Sequence, residues 1–286
     1  MAKNKQSINT VSENIRILDG RADMTQKQRN ICTEQLCRLI MDEGDGIYSV
    51  WEDFCRLSGE GDVVSRTTLC RHICESPRYS ASLVEMLAYG DTEDVSVAAR
   101  RRIAYVRNKR NDKVFLDFSD RIKGAKAHYA TSFSDACEAV FNGACEYCIL
   151  PIENGKDGKL YSFYSMMDRY ELKIVSVVRE DSEDSSESIA FALVGKALSF
   201  SMKSGSEQTF EFSVIHESAD FVADVISAVS LLGGRLTDVG AQPVPYDEPR
   251  RKFYFTVDLS GASAVPFALY MTLEYAGYAP MGLYTV

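Results

Sequence analysis

The run TSFSDACEAVFNGACEYCILPIENG, from Thr131 to Gly155, constrains the fold of this chain more than any other feature. Ser132 and Asp135 stand at capping-box spacing ahead of Ala136, Val140 and Phe141, so a helix begins there, and Gly143 ends it. Tyr147 to Ile152 is a continuous apolar run, too short for a helix and bounded by Gly and Asn, which reads as a buried strand. Glu153 and Asn154 then fall at the carboxyl end of that strand, where open α/β sheets hold ligands. The competing reading is a turn in which Asn154 bonds its own backbone two residues on.

The same alternation continues on both sides. RRIAYV, AKAHYAT, EYCILPI, ELKIVSVV and ESIAFALVGKAL read as strands, with KVFLDFSDRI, SDACEAVFNG and LYSFYSMMDRY between them as helices, which specifies a sheet with helices on its faces. The acidic stretch EDSEDSSES reads as a polar surface connection.

Taken together, Thr131 to Gly155 resembles the "SF…AV..G…PIENS" segment of the prephenate dehydratase family, and the likeness continues through Gly158 into SFYSMMDRYELKIV. The family's catalytic domain has two lobes, and its chain returns from the second lobe carrying a Thr-Arg-Phe motif. Here only one helix and two strands fit between Asn154 and Phe191, so the resemblance implies a single α/β lobe, half of a dehydratase domain. Aligned on Phe191, the catalytic Thr and Arg positions hold Ile189 and Ala190, and the Ser after Asn154 is Gly155. The hydroxyl and the carboxylate-binding guanidinium are both missing. RRIAYV runs into RNKRND where the family has Gly-Thr-Phe. No catalytic residue is assigned on this basis.

Residues 205–286 read strand, helix, strand, strand, helix, strand, the βαββαβ order of a ferredoxin-like unit. The resemblance implies an ACT domain here, the family's phenylalanine-binding module, with GGRLTDVGAQPVPYDEPRRKFYFTVDLSG and AGYAPMGLYTV as the matching pieces. Its two ligand motifs correspond to Ser218-Ala219-Asp220-Phe221 and Gly240-Ala241-Gln242-Pro243, of which Ala219 and Pro243 are retained. Ser218, Ala219, Asp220, Phe221, Gly240, Gln242 and Pro243, with Glu153 and Asn154, are the candidate ligand-binding residues.

The first 97 residues read as helices joined by Gly/Asp turns, beginning at Thr25, Gly46, Ser65 and Ser76-Pro77, with Ile31, Leu36 and Ile40 assigned to one inward face of the first. VSRTTLCRHI, from Val64, resembles the second helix of a helix-turn-helix reader, with Ser65, Arg66, Thr67 and Arg71 toward a groove and Leu69 and Ile73 inward. The acidic Glu60-Gly61-Asp62 lengthens the turn before it. The plainer reading is a bundle helix whose polar face meets water. Arg100, Arg101 and Arg102 form a basic cluster able to neutralise phosphates, or a solvated helix end. Charge permits a polyanion only here: residues 1–113 hold 18 Lys and Arg against 17 Asp and Glu, whereas 114–286 hold 14 against 24.

Eight cysteines sit mostly inside helical and strand patterns, so they are expected reduced; Cys145 and Cys148 are expected to be buried thiols, and Cys70 and Cys74 share a helical face from which His72 points away, so no metal is expected at either set. The three histidines stand beside no nucleophile, and no Gly-rich phosphate loop is present. Trp51 and Phe54 read as core of the first bundle. No apolar stretch approaches membrane-spanning length, and the start lacks a signal-peptide segment, so a cytoplasmic protein without a membrane partner is expected.

The chain is thus read as α+β: a helical, helix-turn-helix-like domain (1–97), a dehydratase-like α/β lobe (98–203) and an ACT-like domain (204–286). The expected function is non-catalytic regulation through sensing of an amino acid or aromatic metabolite, with no cofactor. A homodimer through the ACT-like domain supplies paired contacts to DNA. The alternatives are a prephenate dehydratase with displaced catalytic groups and a protein-interaction module.

Overall fold

The computed structural model of the chain describes residues 26–58, 62–89, 99–180, 188–198, 200, 208–259 and 261–285. The expected domain boundaries near 97 and 203, most of EDSEDSSES and the Glu60-Gly61 turn lie outside them. Two compact units form, and each gathers separate stretches of sequence. One takes its described residues from 26–87 and 213–278, the other from 88–200, 208–212 and 279–285.

In the first unit, helices α1 (Gln26–Glu43), α2 (Ile47–Ser58), α3 (Val63–Glu75) and α4 (Ser80–Met86) are the helical bundle. Asp62 caps α3 by accepting from the Ser65 amide at 3.2 Å, and Pro77 opens a short 3-10 turn before α4. Trp51 and Phe54 on α2 are buried, as are Leu36, Ile40, Leu69 and Ile73. Ile31 is not: it is 48% exposed. At about 100° per residue, five positions carry it roughly 140° around the helix from Leu36, too far to share a face.

The second unit is a mixed sheet with helices. Its strands are β1 (Arg102–Val106), β2 (Lys126–Ala130), β3 (Tyr147–Asn154), β4 (Gly158–Lys159), β5 (Lys173–Glu180) and β6 (Ile189–Gly195). Helices α5 (Lys109–Arg121), α6 (Phe133–Phe141) and α7 (Tyr161–Arg169) alternate with them. Ser132 caps α6 by accepting from the Asp135 amide at 3.0 Å, and Gly143 ends its turn at φ 71°, a conformation that costs a residue with Cβ. β1 pairs parallel with β2 and β3, and β6 lies antiparallel between β3 and β5. Such a central strand meets no water on either edge, and β6 is apolar throughout, with Ala190 to Gly195 buried.

The last elements run β7 (Thr209–His216), α8 (Val222–Leu231), β8 (Arg235–Pro243), β9 (Arg251–Asp258), α9 (Ala264–Glu274) and β10 (Tyr278–Tyr284), in the βαββαβ order read from the sequence. β10 joins the second unit beside β5, where Gly282 faces Ile174. A Cβ at Gly282 would come within 2.5 Å of the Ile174 Cβ, so only glycine admits that approach. In the first unit the strand order is β7-β9-β8, with β8 at the edge. No helix among the described residues is long and apolar enough to cross a membrane.

Candidate functional site

β3 delivers Glu153 and Asn154 directly into a hairpin, where Glu153 pairs with Lys159 and Asn154 with Gly158. The Asn154 Oδ1 accepts from the amides of Lys156, at 3.1 Å, and Asp157, while Nδ2 donates to Asp157 at 3.0 Å. Both polar atoms of Asn154 are engaged in shaping the turn. Glu153 accepts from Arg179 of β5 at 3.0 Å. These two residues lie two strands apart in the same row as Ala190, which pairs with each of them. The ion pair therefore crosses over a methyl group, and Ala190 is 3% exposed beneath it.

Lys159 leads to a set of groups that the sequence reading missed. Glu211 on β7 is 3% exposed and binds three donors. Its Oε2 accepts from Lys159 Nζ at 3.2 Å and from the Tyr164 hydroxyl at 2.8 Å, and its Oε1 accepts from the Tyr284 hydroxyl. The Lys159 ammonium also lies 5.1 Å from the Tyr164 ring centroid. Burial, then the Glu211 carboxylate, pushes both phenols well above the ordinary tyrosine range, so both remain donors. The partners stand 47, 52 and 73 residues from Glu211, which puts them beyond any local motif. No local signal marked it: between Phe210 and Phe212, Glu211 is the polar member of an ordinary strand alternation, which reads as a solvent-facing carboxylate.

The two stretches expected to bind a ligand are linked within the first unit through the Phe253 ring. Ser218 Oγ bonds Asp220 at 2.6 Å and accepts from its amide at 3.1 Å, while the Ser218 carbonyl lies 2.8 Å from His216 Nδ1. Ala219 is in the same turn. Phe221 is buried, its ring 5.1 Å from that of Phe253 and 4.6 Å from that of His216. Phe253 pairs across β8–β9 with Ala241, flanked by Gly240 opposite Tyr254, Gln242 opposite Lys252 and Pro243 opposite Arg251. Phe221 thus links the turn before α8 to the strand carrying the second motif.

The candidate groove-reading residues on α3 are engaged within the first unit, with Ser65 and Thr67 buried, Arg66 half-buried and Arg71 exposed. Ser65 is buried and bonds Asp62 and the Thr33 hydroxyl. Thr67 is buried, its hydroxyl donating to the Val63 carbonyl at 2.7 Å. Arg66 forms an ion pair with Glu274 on α9, the two side chains 14% and 21% exposed, and its guanidinium lies 5.9 Å from the Trp51 ring centroid. Arg71 donates to the carbonyl of Leu231, the last residue of α8, at 2.8 Å, where a cation also meets the negative end of the helix dipole. In place of an open polar row, α3 has two helices over it, contributed by sequence 160 to 208 residues away. Arg100 and Arg101 are exposed, and Arg102 is half-buried at the start of β1.

All eight cysteines are free thiols. Cys145 and Cys148 are both buried, and the Cys148 sulfur lies 4.0 Å from that of Cys137. Cys70 is buried, and burial pushes the Cys74 thiol up to about 12, away from the thiolate that binds metals. Among the described residues no group of three or more His, Cys, Asp or Glu side chains comes together to hold a metal ion.

No family model matches the chain, and no curated protein matches it. Solved structures do. A prephenate dehydratase from Streptococcus mutans superposes with a TM-score of 0.52 at 13% identity, over 64% of this chain and 97% of that one. A structure described as GqqA, a novel type of quorum quenching acylase, gives a TM-score of 0.52 at 13% identity, over 65% of this chain and 96% of that one. The chain has a prephenate dehydratase-like fold. At such identity the likeness concerns backbone architecture alone.

Proposed function

We propose that this chain is a non-catalytic regulatory protein, in which an ACT-like βαββαβ unit senses an amino acid or related aromatic metabolite and the helical bundle transmits the response. The observation that carries the proposal is the state of the family's Thr-Arg pair. The matching residues are Ile189 and Ala190 on the central strand β6, and Ala190 is buried beneath the Glu153–Arg179 ion pair. No hydroxyl or guanidinium stands at those positions. The route of transmission is α3: Arg66 and Arg71 tie it to α9 and α8, so a ligand that shifts either helix moves the bundle. A homodimer through the edge strand β8 would place two sensing units side by side.

The test is thermal unfolding against the common amino acids, phenylpyruvate and prephenate. A ligand of the native state at 100 times its Kd adds about 2.7 kcal/mol of stability and raises the midpoint. One amino acid is expected to do so, with no phenylpyruvate formed from prephenate at high protein concentration. No shift with any of them sinks the sensor reading.

A dehydratase with displaced groups has one observation in its favour. Arg179, one strand from Ala190, brings a guanidinium to the row where the family carries its own. Turnover of prephenate that is lost in Arg179→Ala would establish that alternative.

A further inference from the structure

The sequence places its basic cluster beside a helix-turn-helix candidate, but the arginines of α3 are engaged within their own unit. Four other exposed cations lie on two adjoining segments. Arg100 and Arg101 precede β1, and Lys123 and Lys126 flank the turn leading into β2; all four are exposed. The two segments are held together by the Lys126 amide, which donates to the Arg101 carbonyl at 2.8 Å, and by parallel pairing of Arg102 with Lys126. The side chain of Arg101 lies along Gly124: a Cβ there would meet its Nη1 at 3.2 Å. Arg101 itself takes φ 64°, unusual for a residue with Cβ, and its amide is held by the Glu146 carboxylate. None of the four exposed cations forms an ion pair among the described residues, in a protein whose formal net charge is −9.

We infer that the β1/β2 start is a phosphate-contacting surface for duplex nucleic acid, read through its backbone and not its sequence. On a protein of net charge −9, four exposed cations on two adjoining segments give a local positive site at which a phosphate backbone can approach without the general repulsion. Arginine guanidinium groups suit phosphate oxygens. Among the described residues, no large apolar side chain is exposed in 99–102 or 123–127, so the patch lacks the wedge that anchors a protein in a lipid surface. No helix reaches out from it to enter a groove, so base readout is not expected. The inference gives the regulatory reading a partner but is tested separately, since an amino-acid shift in unfolding midpoint does not depend on nucleic acid.

The experiment is fluorescence anisotropy of a labelled duplex of about 20 base pairs, with the full chain, across a salt series. Four neutralised phosphates predict a log–log slope of about −3.6, so affinity falls by about 150-fold between 50 and 200 mM salt. A scrambled duplex is expected to bind within about threefold. Replacing Lys123 and Lys126 together by Glu is expected to weaken binding by at least about tenfold and to halve the slope. Arg38→Glu with Arg56→Glu makes the same charge change on exposed bundle residues and is expected to leave binding within about threefold. Circular dichroism confirms that each variant is folded, and Arg100→Ala with Lys126→Ala gives a milder second pair. Absence of binding at 50 mM salt, equal weakening by both double variants, or binding to phosphatidylserine vesicles without binding to the duplex would each overturn the inference.

Discussion

At the residue scale, the most tightly specified group is Glu211. It is a buried carboxylate with an ammonium and two phenols as partners, and Lys159 and Glu211 are only 10% and 4% exposed at their side chains. Breaking a buried ion pair by removing one partner costs more than the pair itself contributes, because the remaining charge keeps its desolvation penalty. Glu211→Gln is therefore expected to cost about 3–5 kcal/mol in urea unfolding, and adding Lys159→Met is expected to recover most of it. A loss below about 1 kcal/mol in the single variant would mean that the pair is solvated and does not order these strands. None of this was legible locally. Ser132 and Gly143 act on residues within four positions, so their cap and turn could be read from the string. Glu211 takes its meaning from three residues that only the folded sheet brings near.

Among the elements, β6 and α3 show how far a sequence pattern reaches. ESIAFALVGKAL read as a strand, and β6 is one, buried from Ala190 to Gly195 and flanked by β3 and β5. What the run could not announce is that Glu153 and Arg179 close over Ala190, because that contact depends on register across three strands. Restoring the family's arginine by Ala190→Arg puts a second guanidinium at a 3% exposed position, beneath an ion pair that has one carboxylate and whose side chains are 51% and 34% exposed. Overpacking and like charge together are expected to cost about 2–4 kcal/mol. Combining it with Arg179→Ala is expected to restore most of that stability. If Ala190→Arg alone is neutral by urea unfolding, the row is open and the burial argument fails. For α3 the pattern was ambiguous in a different way. Ser, Arg and Thr near a helix start suit a DNA groove, water or a second layer of protein equally well. The helices that decide among these, α8 and α9, come more than 140 residues later in the chain.

For the molecule as a whole, the consequence of burying so many thiols and phenols is a limit on alkaline stability. Burial, with a smaller contribution from Glu34, pushes the Cys37 thiol up to about 12; burial and Glu75 do the same to Cys74, and burial raises Tyr275 to about 12. Cys70 and Cys148 move in the same direction, again chiefly through burial. In the unfolded chain these groups lose their protons near 9 for thiols and 10 for phenols, while the folded protein still holds them. The unfolded state thus binds fewer protons above pH 9, and stability falls as pH rises from about 9 toward 12, by about 1.4 kcal/mol per pH unit for each such group. Below pH 9 both states are protonated at these positions and their contribution is constant. The unfolding midpoint in reducing buffer is accordingly expected to be flat across pH 7 to 8.5 with respect to these groups and to drop steeply from pH 9 to 11. Cys37→Ala is expected to lower stability at pH 7 through the small cavity it leaves, yet to flatten the alkaline slope by about one proton. A midpoint that stays level to pH 11, or a slope unchanged in Cys37→Ala, would show that these thiols reach solvent and that the bundle's interior is looser than its packing indicates.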